Sequence, residues 1–167
     1  DLYRVAWAYD FLGRVSTYET PAGTIHYEYL RGQNTVVRSL PNGVKTFWRY
    51  QPNGRLEQII HGRLESPDAR QYSLLARYTY QYYAGGRIAA IKEESPSGTV
   101  VKQYAYDPMG RLVRATGAGG KRYAYEYDQL GNRTRATETG RPDQVCTYDW
   151  AGRLTTVNDQ PCTYDAN

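Results

Sequence analysis

The sequence predicts an all-β chain built from tandem β-hairpins, and three observations lead to this fold class. A phrase of tyrosine, three variable residues, glycine and arginine recurs along the 167 residues. Each unit holds two turn signals, which leave two segments of strand length. The segments before the tyrosines alternate in character, as a strand with two different faces does. Such repetition indicates a fold made by stacking one supersecondary unit.

The repeated phrase has five strong copies and a weaker one at Tyr127, each defined by a tyrosine, a glycine and an arginine. In the copy that opens at Tyr127, which ends Gly-Asn-Arg, we interpret the asparagine as an insertion. The motif residues are Tyr9, Gly13 and Arg14; Tyr50, Gly54 and Arg55; Tyr82, Gly86 and Arg87; Tyr106, Gly110 and Arg111; Tyr148, Gly152 and Arg153; and Tyr127, Gly131 and Arg133. Gly54, Gly110 and Gly152 are expected to adopt a positive φ, a conformation that a residue with a side chain adopts only with strain.

A second weaker copy and a truncated one complete the series. The copy that opens at Tyr29 has Gly32 one place early and Asn34 where the others have arginine. The chain stops inside another copy that opens at Tyr164. We therefore expect one array over residues 1–167, with about eight hairpin units and both ends truncated within the array.

The spacing of the tyrosines sets the length of the unit. Successive steps are 20, 21, 32, 24, 21, 21 and 16 residues, so the basic unit has about 21 residues with an insertion near residues 61–71. A second glycine lies between most motif tyrosines and marks the opposite turn. We expect essentially no helix, except for a turn within the insertion.

The residue two places before each motif tyrosine is usually aromatic. These positions form one face of the predicted sheet, because side chains alternate along a strand: Trp7, Tyr27, Trp48, Tyr80, Tyr104 and Tyr125. The intervening positions are small or polar, which is typical of an antiparallel sheet covered on one side. After the arginine, aliphatic residues such as Leu56 and Ile59 lie three apart, which predicts a bulge or a strong twist.

Composition excludes several classes of protein. The formal net charge of +4 is spread along the chain, whereas a nucleic-acid site would concentrate it in a stripe. No apolar run reaches the roughly 20 residues of a membrane helix, and no leader sequence opens the chain. Since the first residue is Asp1 and the last lies within a motif, we expect the chain to be part of a longer polypeptide.

The motif arginines allow two interpretations. Each can pair with the acid of its own turn or with turn carbonyls, yet Gln51 and Tyr83 replace that acid where the arginine stays. A carbonyl contact or stacking on a tyrosine ring would explain its retention there. Alternatively, a row made of four of them binds an acidic glycan or a partner surface: Arg55, Arg87, Arg111 and Arg153.

The cysteines are expected to remain unpaired. Cys146 and Cys162 hold the same place in successive Cys-Thr-Tyr-Asp segments. Equivalent places in successive hairpins lie two strand spacings apart, about 9–10 Å, and a disulfide needs α-carbons within about 7 Å. We interpret them as small hydrophobic residues that replace an aromatic one.

No catalytic, cofactor or metal site is predicted. His26 and His61 lack partners at metal-ligand spacing. The glycine-rich segment at residues 117–120 is not followed by Lys-Ser or Lys-Thr, so it predicts a turn and not a phosphate loop. We expect a protein that is not an enzyme and needs no cofactor.

The two forms of the motif, Tyr-Asp-x-x-Gly-Arg-Leu and Tyr-Asp-x-x-Gly-Asn-Arg, resemble the YD repeats of bacterial Rhs proteins, Tc-toxin shells and animal teneurins. The resemblance covers the chain from Tyr3 to Asn167. It implies hairpins that join edge to edge into a curled, spiralling sheet, which forms a section of a hollow shell. It also implies a secreted or cell-surface parent protein whose bacterial forms enclose a cytotoxic C-terminal domain.

Two functions follow from the resemblance and the arginine row. The first is the non-catalytic wall of a β-shell that encapsulates a C-terminal toxin or effector domain in a bacterial Rhs/Tc-like polymorphic toxin. Its partners would be the adjoining repeats and the enclosed domain, with no nucleic acid and no membrane insertion by this segment. The second is an extracellular carbohydrate- or receptor-binding adhesion module. Independently, about 16 strands at ~4.8 Å each make a sheet that is expected to curl.

Overall fold

The computed structural model describes residues 6–65 and 71–165. Within them the chain forms fifteen strands and a short 3-10 turn, η1, at Ala118–Gly120. The strands are β1 (Ala6–Tyr9), β2 (Val15–Thr20), β3 (Gly23–Leu30), β4 (Thr35–Ser39), β5 (Val44–Tyr50), β6 (Leu56–Leu64), β7 (Tyr72–Tyr82), β8 (Ile88–Ser95), β9 (Gly98–Tyr106), β10 (Leu112–Thr116), β11 (Arg122–Tyr127), β12 (Arg133–Glu138), β13 (Gln144–Tyr148), β14 (Leu154–Val157) and β15 (Gln160–Pro161). The predicted all-β fold class is confirmed.

The chain divides into two compact units. The first contains residues 1–82 and 91–99, and the second contains residues 83–90 and 100–167. In the first unit β1 to β7 are neighbours in chain order, each antiparallel to the next. In the second unit β9 to β15 follow the same order. Each unit is therefore a meander of hairpins, which needs only short connections.

The insertion lengthens one hairpin. β6 has nine residues and β7 has eleven, and their pairing extends to Leu64 opposite Tyr72. Residues 66–70 lie outside the described residues, so the helical turn expected near 61–71 is not tested there. The helical turn that the structure does contain lies elsewhere, at η1.

Every strong motif turn has the same hydrogen-bonding pattern. In the turn between β9 and β10, Gly110 N–H donates to Asp107 C=O at 2.9 Å and Asp107 N–H donates to Arg111 C=O at 2.9 Å. The pattern leaves a three-residue loop with the glycine in the left-handed region, a common hairpin connection. The positive φ predicted for Gly54, Gly110 and Gly152 is confirmed, with values of 81°, 87° and 77°.

A bulge follows five of these turns, as the three-residue spacing of the aliphatic residues predicted. At the fifth strand Tyr50 pairs with Leu56, while Arg49 pairs with Gln58, so Glu57 has no partner in the ladder. The same shift of register recurs at four other motif tyrosines. One extra residue per repeat keeps the motif tyrosine opposite the residue that follows the arginine position.

The interpretation of Asn132 as an inserted residue is wrong. Asp128 N–H donates to Asn132 C=O at 3.0 Å, as the other turns do with arginine. Asn132 therefore replaces the motif arginine, and Arg133 takes the following aliphatic position, opposite Tyr127. The segment Gly-Asn-Arg allows two interpretations: asparagine is inserted before the motif arginine, or asparagine replaces it. Counting residues along the sequence cannot distinguish them, because an arginine is present in both cases.

The turn of the Tyr29 repeat is built differently. Leu30 pairs with Thr35, which leaves a four-residue loop, and no bulge follows it. Gly32 and Asn34 both have positive φ, 76° and 46°. The early glycine thus marks a real change of turn type.

The register places the predicted aromatic column on one face within each unit. Trp7 pairs with Tyr18, and Tyr18 pairs with Ile25. Tyr27 lies two places after Ile25 and therefore shares its face. In the second unit Tyr104 and Tyr123 lie on either side of Ala115. Alternation along the strands completes the column in each unit.

The opposite face of the first unit is less polar than expected. Val37, Phe47 and Ile60 are cross-strand neighbours on that face, and Val37 is 3% exposed. The positions next to the motif tyrosines did not predict this, because the cluster lies farther from the turns. Buried apolar residues are otherwise scarce among the described residues, with Cys146 at 7% exposure.

Replacing a turn glycine with alanine is expected to destabilise the chain by about 1–2 kcal/mol, the cost of a left-handed conformation for an L-residue. Gly110→Ala should cost more than Gly54→Ala. A Cβ at Gly110 would meet the Arg87 guanidinium, whereas a Cβ at Gly54 meets nothing within 4 Å. Urea unfolding monitored by tyrosine fluorescence measures both.

The matched control is Gly85→Ala. Gly85 also lies in a motif turn, has no positive φ and has open space around its Cβ position. Its substitution should leave the unfolding midpoint nearly unchanged. Equal losses in all three variants would show that glycine conformation does not explain the motif.

Candidate functional site

The turn aspartate is bound from two directions by the arginine of the same turn. Asp107 Oδ1 accepts a hydrogen bond from Arg111 N at 2.8 Å, and its Oδ2 accepts one from Arg111 Nε at 2.6 Å. Asp10 with Arg14, and Asp149 with Arg153, repeat this arrangement. An aspartate side chain of this kind closes the turn on itself, and it holds the arginine side chain in one orientation.

The arginine then reaches forward to the next repeat. The Arg111 guanidinium lies 4.8 Å from the centre of the Tyr127 ring, and its Nη1 donates to Asp128 C=O at 2.9 Å. Guanidinium–ring pairs one repeat apart recur along the chain, at 3.9 Å for Arg14 with Tyr29, 5.8 Å for Arg55 with Tyr82 and 5.5 Å for Arg87 with Tyr106. A cation over an aromatic face within about 6 Å is attracted by the ring.

The tyrosine reaches back to the repeat before it. Tyr127 Oη donates to Leu112 C=O at 2.8 Å, beside the bulge that takes Val113 out of the pairing. The same bond recurs from Tyr29 to Val15, Tyr82 to Leu56, Tyr148 to Arg133 and Tyr164 to Leu154, at 2.7 to 3.1 Å. It gives the carbonyl at the bulge a partner, which part-buried backbone groups need.

We call this arrangement the clasp: a turn aspartate, its arginine, and the tyrosine of the next repeat. The complete clasp, with a stacked cation and a hydroxyl–carbonyl bond, joins Arg14 to Tyr29 and Arg111 to Tyr127, and other turns keep part of it. The hydroxyl bond was not predicted from the sequence. Its signal is the preference for tyrosine, with 18 tyrosines against 2 phenylalanines, since only tyrosine combines the ring with a donor.

The clasp tolerates loss of its acid. Gln51 and Tyr83 occupy the aspartate position of their turns, and Arg55 and Arg87 still lie over the next tyrosine rings. Tyr83 adds a bond of its own, from Oη to Tyr104 C=O at 2.9 Å. Stacking on the ring is therefore the contact that these acid-free turns share with the others.

The Tyr29 repeat lacks the arginine, and a cavity of about 350 Å3 is present at this point. Tyr29, Tyr50 and Asn34 are among the residues that line it. Asn34 contributes a backbone bond instead, since its carbonyl accepts from Tyr50 N–H at 2.8 Å.

Arg133 was predicted to be a motif arginine, but it takes no part in a clasp. It lies 5.8 Å from the ring centre of Tyr125, on the adjacent strand, and its Nη2 donates to Gln144 Oε1 at 3.3 Å. In that turn Asn132 Nδ2 donates to Asp128 Oδ2 at 2.9 Å. The amide thus keeps the bond inside the turn but cannot supply a cation.

The proposed glycan-binding row consists of arginines that are already engaged. Arg55, Arg87 and Arg111 lie over tyrosine rings. Arg153 is bound to Asp149 at 2.8 Å, although its side chain is 67% exposed. The geometry assigns these side chains to contacts within the chain.

Hydrogen bonds hold the pKa of two clasp aspartates below the ordinary value of 3.8. The side-chain bond from Arg14 is the largest cause at Asp10. At Asp107 desolvation raises the pKa, but the side-chain and backbone bonds from Arg111 together outweigh it. The folded protein therefore favours the ionised form of both carboxyl groups over the protonated form.

The same direction holds in the two C-terminal motif turns. The pKa of Asp128 is lowered first by the side-chain hydrogen bond from Asn132. The pKa of Asp149 is lowered first by the backbone N–H of Arg153 and then by its side chain. An amide partner therefore also stabilises the ionised form of the turn acid.

The remaining candidate groups form no recognisable reaction centre. Cys146 and Cys162 are free thiols, and His61 Nδ1 is hydrogen-bonded to Thr46 Oγ1 at 3.1 Å. Among residues 6–65 and 71–165, no group of three or more His, Cys, Asp or Glu residues is placed to hold a metal. Within the same ranges, no helix is long and apolar enough to cross a membrane.

A comparison with known families finds a match for the second half of the chain. The model of the teneurin YD-shell matches residues 71–167, which is more than half of the sequence. No match to a curated protein was found.

Solved structures match nearly the whole chain. The Tc holotoxin pore of Photorhabdus luminescens, bearing a TccC3 mutation, has a TM-score of 0.63 at 18% identity, covering 93% of this chain and 10% of that one. A TcdB2–TccC3–Cdc42 crystal structure has a TM-score of 0.60 at 19% identity, with 95% and 10% covered. At such identities the likeness shows a shared fold. The chain spans about a tenth of the length of these matched chains.

A double-mutant cycle is expected to reveal the cation–ring contact of the clasp. Arg111→Met and Tyr127→Leu should show a coupling of about 0.5–1 kcal/mol in the free energy of unfolding. Arg111→Met should also cost more than Arg55→Met, because Arg111 has two further partners, Asp107 and the carbonyl of Asp128. Arg114→Met is the control, as Arg114 belongs to no clasp. A coupling indistinguishable from zero would show that the stacked cation does not stabilise the folded chain.

Stability is expected to fall in acid because the clasp aspartates have lowered pKa values when folded. Their contribution is complete above the unfolded value near 3.8 and is lost as the pH falls through the lower folded-state pKa. Urea midpoints measured from pH 7 to pH 2.5 should therefore stay level down to about pH 5 and then decline. The variant with asparagine at Asp10, Asp107, Asp128 and Asp149 should decline less. An unchanged acid slope in that variant would assign the effect to other carboxyls.

Proposed function

Because this chain belongs to the teneurin YD-shell family, we propose that it forms part of the wall of a hollow β-shell that encloses a C-terminal toxin or effector domain. The parent protein is then a secreted or cell-surface polymorphic toxin of the Rhs/Tc-like bacterial type. In this role the chain is structural: it supplies a barrier and catalyses nothing. Its partners are the adjoining repeats and the enclosed domain.

The clasp is the observation that carries this proposal. The groups that would make the motif a binding or catalytic site are instead engaged within the chain: the carboxylate by the arginine of its own turn, the arginine by the ring of the next repeat, and the hydroxyl by the backbone of the preceding repeat. A motif whose polar groups face the neighbouring repeat has the properties of a joint. Repetition of one joint extends a sheet without limit, as a wall requires.

The composition of the sheet suits a surface that is wet on both sides. Among the described residues, the buried ones are few, namely Thr35, Val37, Thr46, Gly62 and Cys146. A sheet with so few buried residues depends on contacts along its length for its rigidity. A wall with solvent or a passenger on each side meets that description.

The likeness to Tc complexes supports enclosure as the purpose of the wall. The matched structures contain TccC3, and two of them are complexes of TcdB2 with TccC3. The adhesion alternative receives less support from the motif, because the arginines of the predicted row are engaged in the clasps or with turn acids.

Enclosure predicts protease protection in the full-length polypeptide that carries this chain. A domain downstream of the array should resist proteinase K while the shell is intact, and should be cut at least about tenfold faster when expressed alone, since cleavage follows the population of accessible chain. Time courses on denaturing gels with mass spectrometry of the fragments measure this.

A matched pair of variants links protection to the clasp. Replacing Arg55, Arg87, Arg111 and Arg153 with alanine should speed cleavage, because three turns lose their contact with the next tyrosine ring and the fourth loses its ion pair with Asp149. Replacing Arg49 and Arg63, exposed residues outside the clasps, should not. If the downstream domain of the unmodified polypeptide is digested as fast as the isolated domain, the chain does not enclose it.

A further inference from the structure

The joint between the Tyr29 and Tyr50 repeats has the receiving side of a clasp but no arginine. Asn34 directly precedes β4, as Arg111 directly precedes β10, so it takes the position of the motif arginine. An asparagine side chain is short and has no positive charge. In the part of the chain that the structure describes, no cation lies over the Tyr50 ring. The ring therefore lacks the contact that a complete clasp provides.

The cavity of about 350 Å3 at this joint is lined by the Tyr50 ring. Gln51 and Gly54, from the turn that follows Tyr50, also line it, together with Asn34 and Thr35. Cavities of roughly 300–1,000 Å3 are the size that holds small ligands. The space therefore suits one long side chain from another segment.

At another joint a guanidinium occupies the corresponding space. The Arg87 guanidinium lies 5.5 Å from the centre of the Tyr106 ring and against the Cβ position of Gly110, the glycine of the following turn. Gly54 is the corresponding glycine at the Tyr50 turn, and nothing lies within 4 Å of its Cβ position. The place that a guanidinium takes beside Gly110 is thus open beside Gly54.

A backbone carbonyl in the cavity matches the one that receives the arginine in a complete clasp. Asp128 C=O accepts from Gly131 N–H at 3.2 Å and from Arg111 Nη1 at 2.9 Å. Gln51 C=O holds the same position in its turn and accepts from Gly54 N–H at 2.9 Å. A carbonyl oxygen has two lone pairs, so Gln51 can accept a second hydrogen bond as Asp128 does.

The buried hydroxyl of the cavity is also an acceptor. Thr35 is 7% exposed, and its Oγ1 donates to Gln33 C=O at 2.8 Å. With its proton committed, this oxygen offers its lone pairs to an incoming donor. A ring face, a carbonyl and a committed hydroxyl together favour a ligand that is cationic and rich in N–H groups.

The two arginines that line the cavity are compatible with a further cation. Arg14 forms an ion pair with Asp10 at 2.6 Å. Arg31 is exposed, so solvent and salt screen its charge. Arg87 and Arg111 show that successive joints of one array can each hold a guanidinium.

We propose that this cavity binds the guanidinium group of an arginine side chain that another polypeptide segment supplies. Only guanidinium combines a flat cationic face for the Tyr50 ring with several N–H groups for the Gln51 carbonyl, whereas a lysine ammonium is a compact point charge. The contact that joins repeats within the chain thus serves here to attach a second segment to the sheet. The inference does not depend on enclosure, since the attached segment can lie on either side of a wall.

The test is an NMR titration of the 167-residue chain with an acetylated and amidated Gly-Arg-Gly peptide, followed at the backbone amides of Tyr50 and Gln51. The same peptide with citrulline, which keeps the shape of arginine without its charge, should bind at least about tenfold more weakly. Tyr50→Leu should weaken binding of the arginine peptide by about fivefold, because the ring is lost. The matched control is Tyr82→Leu. It removes a ring that Arg55 already covers, and it should change the affinity by less than about twofold.

A second pair of variants fills the cavity from within the chain. Asn34→Arg supplies its own guanidinium to Tyr50 and should weaken peptide binding by at least about tenfold. Asn34→Gln is its matched control, because it lengthens the side chain at the same backbone conformation without adding charge, and it should bind within about twofold of the unmodified chain. Circular dichroism and melting temperatures verify that each variant is folded.

The converse variant creates a site in the second unit. Arg111→Ala uncovers the Tyr127 ring and the Asp128 carbonyl, so the peptide should also shift the amides of those two residues. The proposal is overturned if the citrulline peptide binds equally well, or if Tyr82→Leu loses as much affinity as Tyr50→Leu. It is also overturned if Asn34→Arg binds as well as Asn34→Gln, or if the unmodified chain shows no shift at Tyr50 and Gln51.

Discussion

The cation–ring contact between one turn and the next is the interaction on which the rest of the structure depends. Sheets usually gain stability by burying one face on another layer, and here buried apolar residues among those described are few. Stabilisation must then come from within the ladder of strands. Backbone pairing supplies most of it without regard to sequence, while the stacked guanidinium of Arg111 on Tyr127 and its counterparts supply the part that recognises a specific neighbour.

The parts of the motif depend on one another geometrically. The glycine permits the tight turn, the turn is followed by a bulge, and the bulge keeps the motif tyrosine in register. The tyrosine then satisfies a carbonyl of the preceding repeat. This order explains which substitutions the array tolerates. Gln51 and Tyr83 replace the acid without displacing the arginine from the ring, because the acid only braces a contact that exists without it.

Much of the fold could be predicted from the sequence because repetition makes each unit a test of the others. Two turns per 21 residues fixed the hairpins, and the spacing of Leu56 and Ile59 predicted the bulge. The clasp was predictable only in part. Loss of the acid beside Arg55 indicated stacking on a tyrosine, but the direction of the contact depends on three-dimensional register. Asn132 was misinterpreted because spacing alone does not reveal which residue closes a turn.

The missing arginine at Asn34 has a consequence for cooperativity. A ladder held by nearest-neighbour contacts behaves as a one-dimensional lattice, in which order spreads from unit to unit through the couplings. The repeat that opens at Tyr29 places no guanidinium over Tyr50, and a cavity is present there. The coupling between these two repeats therefore has no cation–ring part, and strand pairing and the buried residues Thr35, Val37 and Thr46 hold them together. Order spreads across this joint through packing and backbone pairing and not through charge, so added salt should leave it unaffected where it weakens the joints that contain a stacked cation.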